Sequence, residues 1–179
     1  MSTLYTIILT NKSPYMQDFY FFQKPAQYVG GDKIYSNSIY NSKLRPSSHG
    51  GQLKFSLLQQ YYAGVETQAG SIIVGQASGT IIAIQPIELA SSDPQSKDVT
   101  DIVGMELDPL GLTEPRSAKP EEKVTDGSFR IITPSFNPDT QKYNAGLGVT
   151  LEDGSYSLSN FINAEPSKNI DCQPIVRAC

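Results

Sequence analysis

Residues 143–151 read YNAGLGVTL, and Asp153 and Gly154 follow almost directly. Apolar side chains occupy every second position of this stretch and alternate with glycine or short polar side chains. That period of two is typical of a β-strand. An Asp-Gly pair after such a strand is the strongest short signal for a hairpin turn. Residues 155–159, SYSLS, resume the alternation, so the segment predicts two antiparallel strands joined by a tight turn.

Similar patterns recur along the chain. Two β-branched runs around the small residues 77–79 predict a second hairpin, from residues 71–75 and 80–84. Further strands are predicted at residues 5–10, 18–23, 53–59, 128–133 and 170–176.

One stretch also fits a helix, because Leu53, Leu57 and Tyr61 are spaced at i, i+4 and i+8. The alternation within residues 53–57, LKFSL, and the glycines flanking the run favour a strand.

Eight or nine short strands without helical crossovers predict antiparallel pairing in an all-β protein. Two packed sheets protect such strands from exposed edges, so we expect a β-sandwich, with a flattened barrel as the alternative. The 179 residues fit one domain, 1–179, at the usual ~100–200 residues per domain.

The segment 88–127 differs from the rest of the chain. It has ten acidic and four basic residues, four prolines and no aromatic residue. Such a composition buries little apolar surface. We therefore expect a long, mostly solvated acidic connection or a lid, with one short strand near 101–105.

Composition excludes several functional classes. The net charge of −4 argues against nucleic acid, and no apolar run reaches the ~20 residues of a membrane helix. One histidine, His49 in a loop-forming run, and two cysteines cannot build a four-ligand zinc site. We expect no metal, no cofactor, and free thiols at Cys172 and Cys179. The first residues carry no signal-peptide pattern, which predicts a cytoplasmic protein.

Aromatic residues concentrate in the amino-terminal third, with 12 of the 17 in residues 1–62. Residues 19–22 read FYFF, and in a strand they place two rings on each face. One pair must then leave the main core or be covered by a loop. Two glycines on one face of strand 143–151 would let a ligand or backbone approach closely. The predicted ligand-binding residues are Phe19, Phe21, Phe22, Tyr62, Gly146 and Gly148.

Three functional hypotheses follow, and the sequence does not decide whether the protein is an enzyme. The first is a non-enzymatic binding domain that offers a Tyr-rich cleft or face to a small apolar molecule or a protein. The second is a small cofactor-independent enzyme, of isomerase or cyclase type, acting on an apolar natural product. The third is a structural, self-assembling protein, and a homo-oligomer is compatible with each hypothesis. Candidate catalytic residues are Asp18, Glu66, Tyr20 and Tyr61.

A closed pocket with a buried carboxylate would favour the enzyme, whereas an open aromatic surface would favour binding.

Overall fold

The computed structural model describes residues 3–93, 98–151 and 153–175, which contain fourteen strands and one 3₁₀ turn at Ser47–His49. The predicted all-β, sandwich-like class is confirmed, with more strands than the eight or nine expected. The strands are β1 (Thr3–Thr10), β2 (Gln17–Phe22), β3 (Gln27–Val29), β4 (Tyr35–Ser36), β5 (Ser38–Leu44), β6 (Gln52–Gln59), β7 (Tyr62–Gln68), β8 (Gly79–Pro86), β9 (Ile102–Leu107), β10 (Leu110–Leu112), β11 (Phe129–Ile132), β12 (Tyr143–Thr150), β13 (Tyr156–Asn163) and β14 (Asn169–Gln173).

Two five-stranded sheets form the body of the molecule. Sheet 1 has the order β10-β9-β11-β14-β3, and sheet 2 has the order β4-β13-β12-β7-β8. Their facing side chains make one apolar core, which removes these groups from water. Residues at its centre include Val65 and Ala145 from sheet 2 and Val103, Phe129, Ile131 and Ile170 from sheet 1.

The hairpin predicted from YNAGLGVTL is confirmed as β12 and β13. Gly154 has φ +80°, a left-handed conformation that glycine adopts without steric cost. The Asp153 carboxylate accepts from the main-chain N–H of Ser155 at 2.9 Å, which fixes the turn. Both faces of β12 are buried, because sheet 2 curls so that Leu158 of β13 reaches Gly64 of β7 across β12.

Glycine makes that curl possible. Gly64 of β7 lies opposite Gly146 of β12. A Cβ on Gly64 would lie 2.4 Å from Cδ2 of Leu158, so the absence of a side chain there lets β13 close over the sheet.

The second predicted hairpin is wrong in one arm. β8 pairs with β7, not with residues 71–75, which form an exposed connection. Ile73 is 53% exposed and Val74 is fully exposed. β-propensity alone did not select the partner, because β7 fits between β8 and β12 and buries Ala63 and Val65 completely.

The segment 88–127 is more ordered and more buried than its composition predicts. It contributes β9 and β10, and Ile102 and Val103 are fully buried. β9 pairs in parallel with β11, an exception to the expected antiparallel pairing. A parallel pair needs a long crossover. Residues 113–127 supply it: residues 113–116 run beside β9, where Ile102 and Arg116 form a bridge, and Lys123 lies over the outer face of sheet 1, where its main-chain oxygen accepts from Arg130 at 2.9 Å. The apolar run of β9 is therefore covered on both faces.

The remaining four strands form an amino-terminal arm of two ribbons, β1–β6 and β2–β5, each antiparallel. The strand predicted at residues 53–59 is confirmed over the helical alternative. The ribbons face each other across three rings. Phe55 lies 4.7 Å from Phe21 and 4.8 Å from Tyr40, measured between ring centroids. A lone two-stranded ribbon is marginal in water, so each ribbon depends on this contact.

Asn11 fastens the far end of the arm. Its buried side-chain amide donates to the main-chain oxygens of Tyr15 and Leu44, at 2.8 and 2.9 Å. These bonds join the connection 11–16 to the end of β5. His49 lies exposed in the neighbouring connection 45–51.

Candidate functional site

The aromatic run of β2 splits between the two faces of its ribbon, as the period of two requires. Phe19 and Phe21 are half-buried on the side that faces β1–β6. Tyr20 and Phe22 point the other way and are 62% and 57% exposed. A sequence period cannot say which pair is buried; the position of the first ribbon decides it.

Tyr20 and Phe22 lie on an open surface, which we call the outer face of the β2–β5 ribbon. Their cross-strand neighbours on β5 are Asn41 and Ser38. Asp18 and Lys43 are the next pair along the ribbon, with Nζ and Oδ1 3.9 Å apart and both side chains more than half exposed. An ion pair this exposed adds little stability. The outer face thus combines two exposed rings with a solvated lysine.

Charge divides between the arm and the body. The arm, residues 3–22 and 38–59, has four basic residues and one acidic residue, a net of +3. The other residues of the chain have ten basic and seventeen acidic residues, a net of −7. A basic, aromatic arm therefore extends from an acidic body, and its field favours partners with negative surfaces.

The four candidate catalytic residues are spread over the molecule. Asp18 and Tyr20 lie on the outer face of the arm, where both are exposed. Tyr61 precedes β7 and packs against the core between the sheets. Glu66 is in the middle of sheet 2, only 5% exposed. The fold brings Asp18 and Tyr20 together and places Glu66 in a different sheet.

Glu66 belongs to a buried polar network. Asn144, fully buried on the next strand, donates from Nδ2 to Oε1 of Glu66 at 2.8 Å. The backbone of Gly79 packs against the same carboxylate, since a Cβ there would lie 2.6 Å from Oε2. Asn163 donates to the Gln68 amide oxygen at 3.0 Å and extends the network. Oε1 of Glu66 thus accepts from Asn144, and Oε2 lies against the backbone of Gly79 on β8.

The space beside Gly146 and Gly148, where a ligand approach was predicted, is filled by other atoms of the protein. A Cβ on Gly146 would lie 2.5 Å from the hydroxyl of Tyr28, and one on Gly148 would lie 3.2 Å from Cβ of Tyr62. Close approach is what these glycines permit, and the groups that approach are backbone and side-chain atoms of this chain. Tyr62 is half-buried beside Gly148.

A cavity of about 380 Å³ opens on the outer side of sheet 1, between residues 90–93 and 117–124. Asp101 lies in its wall, and burial raises the pKa of that carboxyl group above its ordinary value. Nearby, Arg116 donates to both oxygens of Glu122 at 2.6 Å, which lowers the pKa of Glu122 to about 2. None of the ten candidate residues lines this cavity.

Metal and membrane chemistry receive no support from the residues that the structure describes. No three His, Cys, Asp or Glu side chains among them are grouped so as to hold a metal ion. No helix in those ranges is long and apolar enough to cross a membrane. Cys172 is a free, buried thiol whose pKa burial raises to about 12. Cys179 lies outside the described residues.

Comparison with protein families, with curated proteins and with solved structures finds no match to this chain.

Sequence reasoning missed several residues that shape the molecule. Tyr28 links the two sheets, and Asn11 closes the tip of the arm. Arg130 and Asp171 form a nearly buried pair on β11 and β14, 2.6 Å apart. An arginine inside the apolar run of β11 was the available signal for this pair, but its pairing with Asp171 depends on strand register.

Proposed function

We propose that this protein is a non-enzymatic binding domain, and that the outer face of the β2–β5 ribbon binds a protein with an acidic surface and an apolar pocket. The observation that carries the proposal is the pair of exposed rings, Tyr20 and Phe22, at 62% and 57% exposure on one open face. Exposed apolar groups that share one face, here beside a lysine, are typical of an interaction site rather than of scattered surface residues.

The surface supports a protein partner over a small apolar molecule. A small ligand is normally enclosed, with most of its surface buried in a concave site. Tyr20 and Phe22 instead stand on an open ribbon, where only another surface can cover both rings. Aromatic residues are enriched at the centres of protein interfaces, where they insert into pockets of the partner.

The charge of the arm specifies the kind of partner. Lys43 lies on the same face as the rings, and together with Lys12, Arg45 and Lys54, and against Asp18, it gives the whole arm its net charge of +3. Charged residues at the rim of an interface speed up association with a partner surface of opposite charge and disfavour association with a surface of like charge. Binding should therefore weaken with added salt.

The test is site-specific photocrosslinking with p-benzoylphenylalanine at position 22, in a lysate of the protein's native cells. The matched control places the same group at position 156, since Tyr156 is 52% exposed on the body. We expect a discrete protein adduct from position 22 alone, at least threefold weaker with Lys43→Glu or in 0.5 M salt. No adduct at position 22, or the same adducts at both positions, would overturn the proposal.

A further inference from the structure

β1 presents an open hydrogen-bonding edge. Among the described residues it pairs with β6 and with no other strand. The pairing runs without a bulge from Thr3 to Thr10, so the opposite side of the strand is regular over eight residues. An edge of this kind is a template for another strand, because its N–H and C=O groups point outward unpaired.

The edge also lacks the usual protection against strand addition. Residues 3–10, TLYTIILT, include no charge and no proline. The three other arm strands each have a charged residue, namely Asp18 in β2, Lys43 in β5 and Lys54 in β6, and the β2–β5 pairing is bulged. Ile8 and Tyr5 of β1 are 61% and 47% exposed. Charged residues and bulges on the edge strands of natural sheets prevent pairing with other chains. Among the four arm strands, β1 alone has neither feature.

We propose that β1 pairs antiparallel with β1 of a second copy, joining two β1–β6 ribbons into one four-stranded sheet. This inference goes beyond the proposed function and uses a different surface of the arm. A twofold axis perpendicular to the sheet keeps each face of the ribbon on the same side in both copies. Ile7 then lies at the axis, Tyr5 faces Leu9 of the second copy, and Thr6 faces its Ile8.

The strand is complementary to itself in this register. Tyr5 with Leu9 is an aromatic–aliphatic pair, and Thr6 with Ile8 is a pair of β-branched residues, both favourable across antiparallel strands. No charge within β1 meets a like charge of the copy. The nearest lysine, Lys54, lies on β6, so the two copies of it are roughly 14 Å apart across three strand spacings. That exceeds the screening length of about 8 Å at physiological salt.

The area buried by one strand pair is small compared with the ~1,200–2,000 Å² of stable interfaces. We therefore expect a reversible dimer with a Kd on the order of 10 µM, which corresponds to a weak, transient association. Sedimentation velocity of the full chain between about 1 and 200 µM measures it.

The decisive variant is the double substitution Thr6→Glu with Ile8→Glu. In the single copy, Glu at position 8 faces Lys54, an opposite charge across the ribbon. In the dimer, four carboxylates crowd the axis. Its control is Ile73→Glu with Val74→Glu, which makes the same change of charge on two exposed apolar residues of the body. We expect the edge variant to dimerise at least tenfold more weakly and the control to match the wild type.

A wild type that stays monomeric up to 200 µM would overturn the proposal, and so would an edge variant that dimerises normally. Loss of the dimer with Tyr20→Ser and Phe22→Ser, but not with the edge variant, would assign self-association to the outer face instead. The register has its own test in a Cys179→Ser background. Oxidation should cross-link Ile7→Cys across the axis, where directly opposed Cβ atoms lie ~4.5–5.5 Å apart. It should leave Val74→Cys monomeric, and failure of Ile7→Cys to cross-link overturns the pairing.

Discussion

The hydroxyl of Tyr28 bonds to the main-chain oxygen of Asn160 at 2.7 Å, and so joins sheet 1 to sheet 2. The same hydroxyl accepts from the N–H of Leu147 at 3.1 Å. Leu147 and Asn160 are register partners on β12 and β13, at a bulge where the ladder is interrupted. Tyr28 therefore satisfies two main-chain groups that the bulge would leave unpaired. Burial raises the pKa of this phenol well above its ordinary value, so it stays protonated and able to donate.

We expect Tyr28→Phe to lower the free energy of unfolding by about 1–3 kcal/mol, because both main-chain groups lose their partner within the sandwich. Urea denaturation measures it. Tyr156→Phe is the control, since Tyr156 is 52% exposed. Its stability should stay within ~0.5 kcal/mol of the wild type. Equal effects of the two substitutions would show that water replaces the Tyr28 hydroxyl.

Asn144→Leu should destabilise the protein by about 2–3 kcal/mol. The substitution keeps the branching at Cγ but removes the donor at 2.8 Å from Oε1 of the buried Glu66 carboxylate, and the larger leucine also crowds a fully buried site. Glu66→Gln should cost less, because its amide oxygen can still accept from Asn144. Thermal unfolding of Asn144→Leu and Glu66→Gln shows which substitution destabilises the protein more. If Glu66→Gln proves the more damaging, the charge of the carboxylate, and not only its hydrogen bond to Asn144, contributes to the stability of sheet 2.

Asp171→Asn should cost about 3–5 kcal/mol, as expected when a buried ion pair loses one charge. Arg130 donates from Nε and Nη2 to the two oxygens of Asp171, at 2.6 and 2.7 Å. Arg130→Lys should not preserve stability, because an ammonium group cannot make this forked contact. The exposed pair provides the comparison: Asp18→Asn should change stability by less than ~0.5 kcal/mol. If chemical denaturation shows the same loss of unfolding free energy for Asp18→Asn and Asp171→Asn, burial does not explain the strength of the Arg130–Asp171 pair.

The two faces of β2 should respond differently to truncation. Phe21→Ala removes a ring that contacts Phe55, and because Phe21 is half-buried we expect roughly half of the ~3–5 kcal/mol of a fully buried Phe→Ala change. Phe22→Ala should cost less than ~0.5 kcal/mol and instead reduce the photocrosslinked adduct formed from position 20. Equal losses of stability in Phe21→Ala and Phe22→Ala would mean that both faces of β2 are buried.

Glu122 supplies a test by pH. Its pKa of about 2 lies below the ordinary value of 4.5, because Arg116 donates to both carboxylate oxygens. A carboxyl group whose pKa is lower in the folded than in the unfolded state stabilises the fold. This stabilisation is complete above the unfolded-state pKa and is lost as the pH falls through the folded-state pKa. The stability that the Arg116–Glu122 contact contributes should therefore be fully present above about pH 4.5 and be lost as the pH falls from there to about 2, whereas the contact itself titrates with a midpoint near 2. Carbon-detected NMR titration of the Glu122 carboxyl gives its midpoint, and Arg116→Gln should raise it. A midpoint near 4.5 in the wild type would contradict the bidentate pair.

Local pattern was enough to predict most of the strands and one turn. Alternation in residues 143–151 and the Asp-Gly pair specify β12, its turn and β13, because side-chain direction and turn conformation depend on neighbouring residues alone. The same rule showed that residues 19–22 must place two rings on each face. It could not choose between the pairs, since Phe19 with Phe21 and Tyr20 with Phe22 have identical spacing.

Tertiary structure decided which strands meet. The run at residues 71–75 has strong β-propensity but remains an exposed connection, because β7 takes the place beside β8. The short strand predicted near 101–105 is β9, but the acidic composition of 88–127 did not indicate that Ile102 and Val103 are fully buried, because their burial depends on packing against segments distant in sequence. Tyr28 and Asn160 are 132 positions apart, and nothing local links a phenol to a bulge that distant. Sequence alone determined the all-β class through short-range sterics and periodicity, whereas partners, register and the exposed face of β2 came from long-range packing.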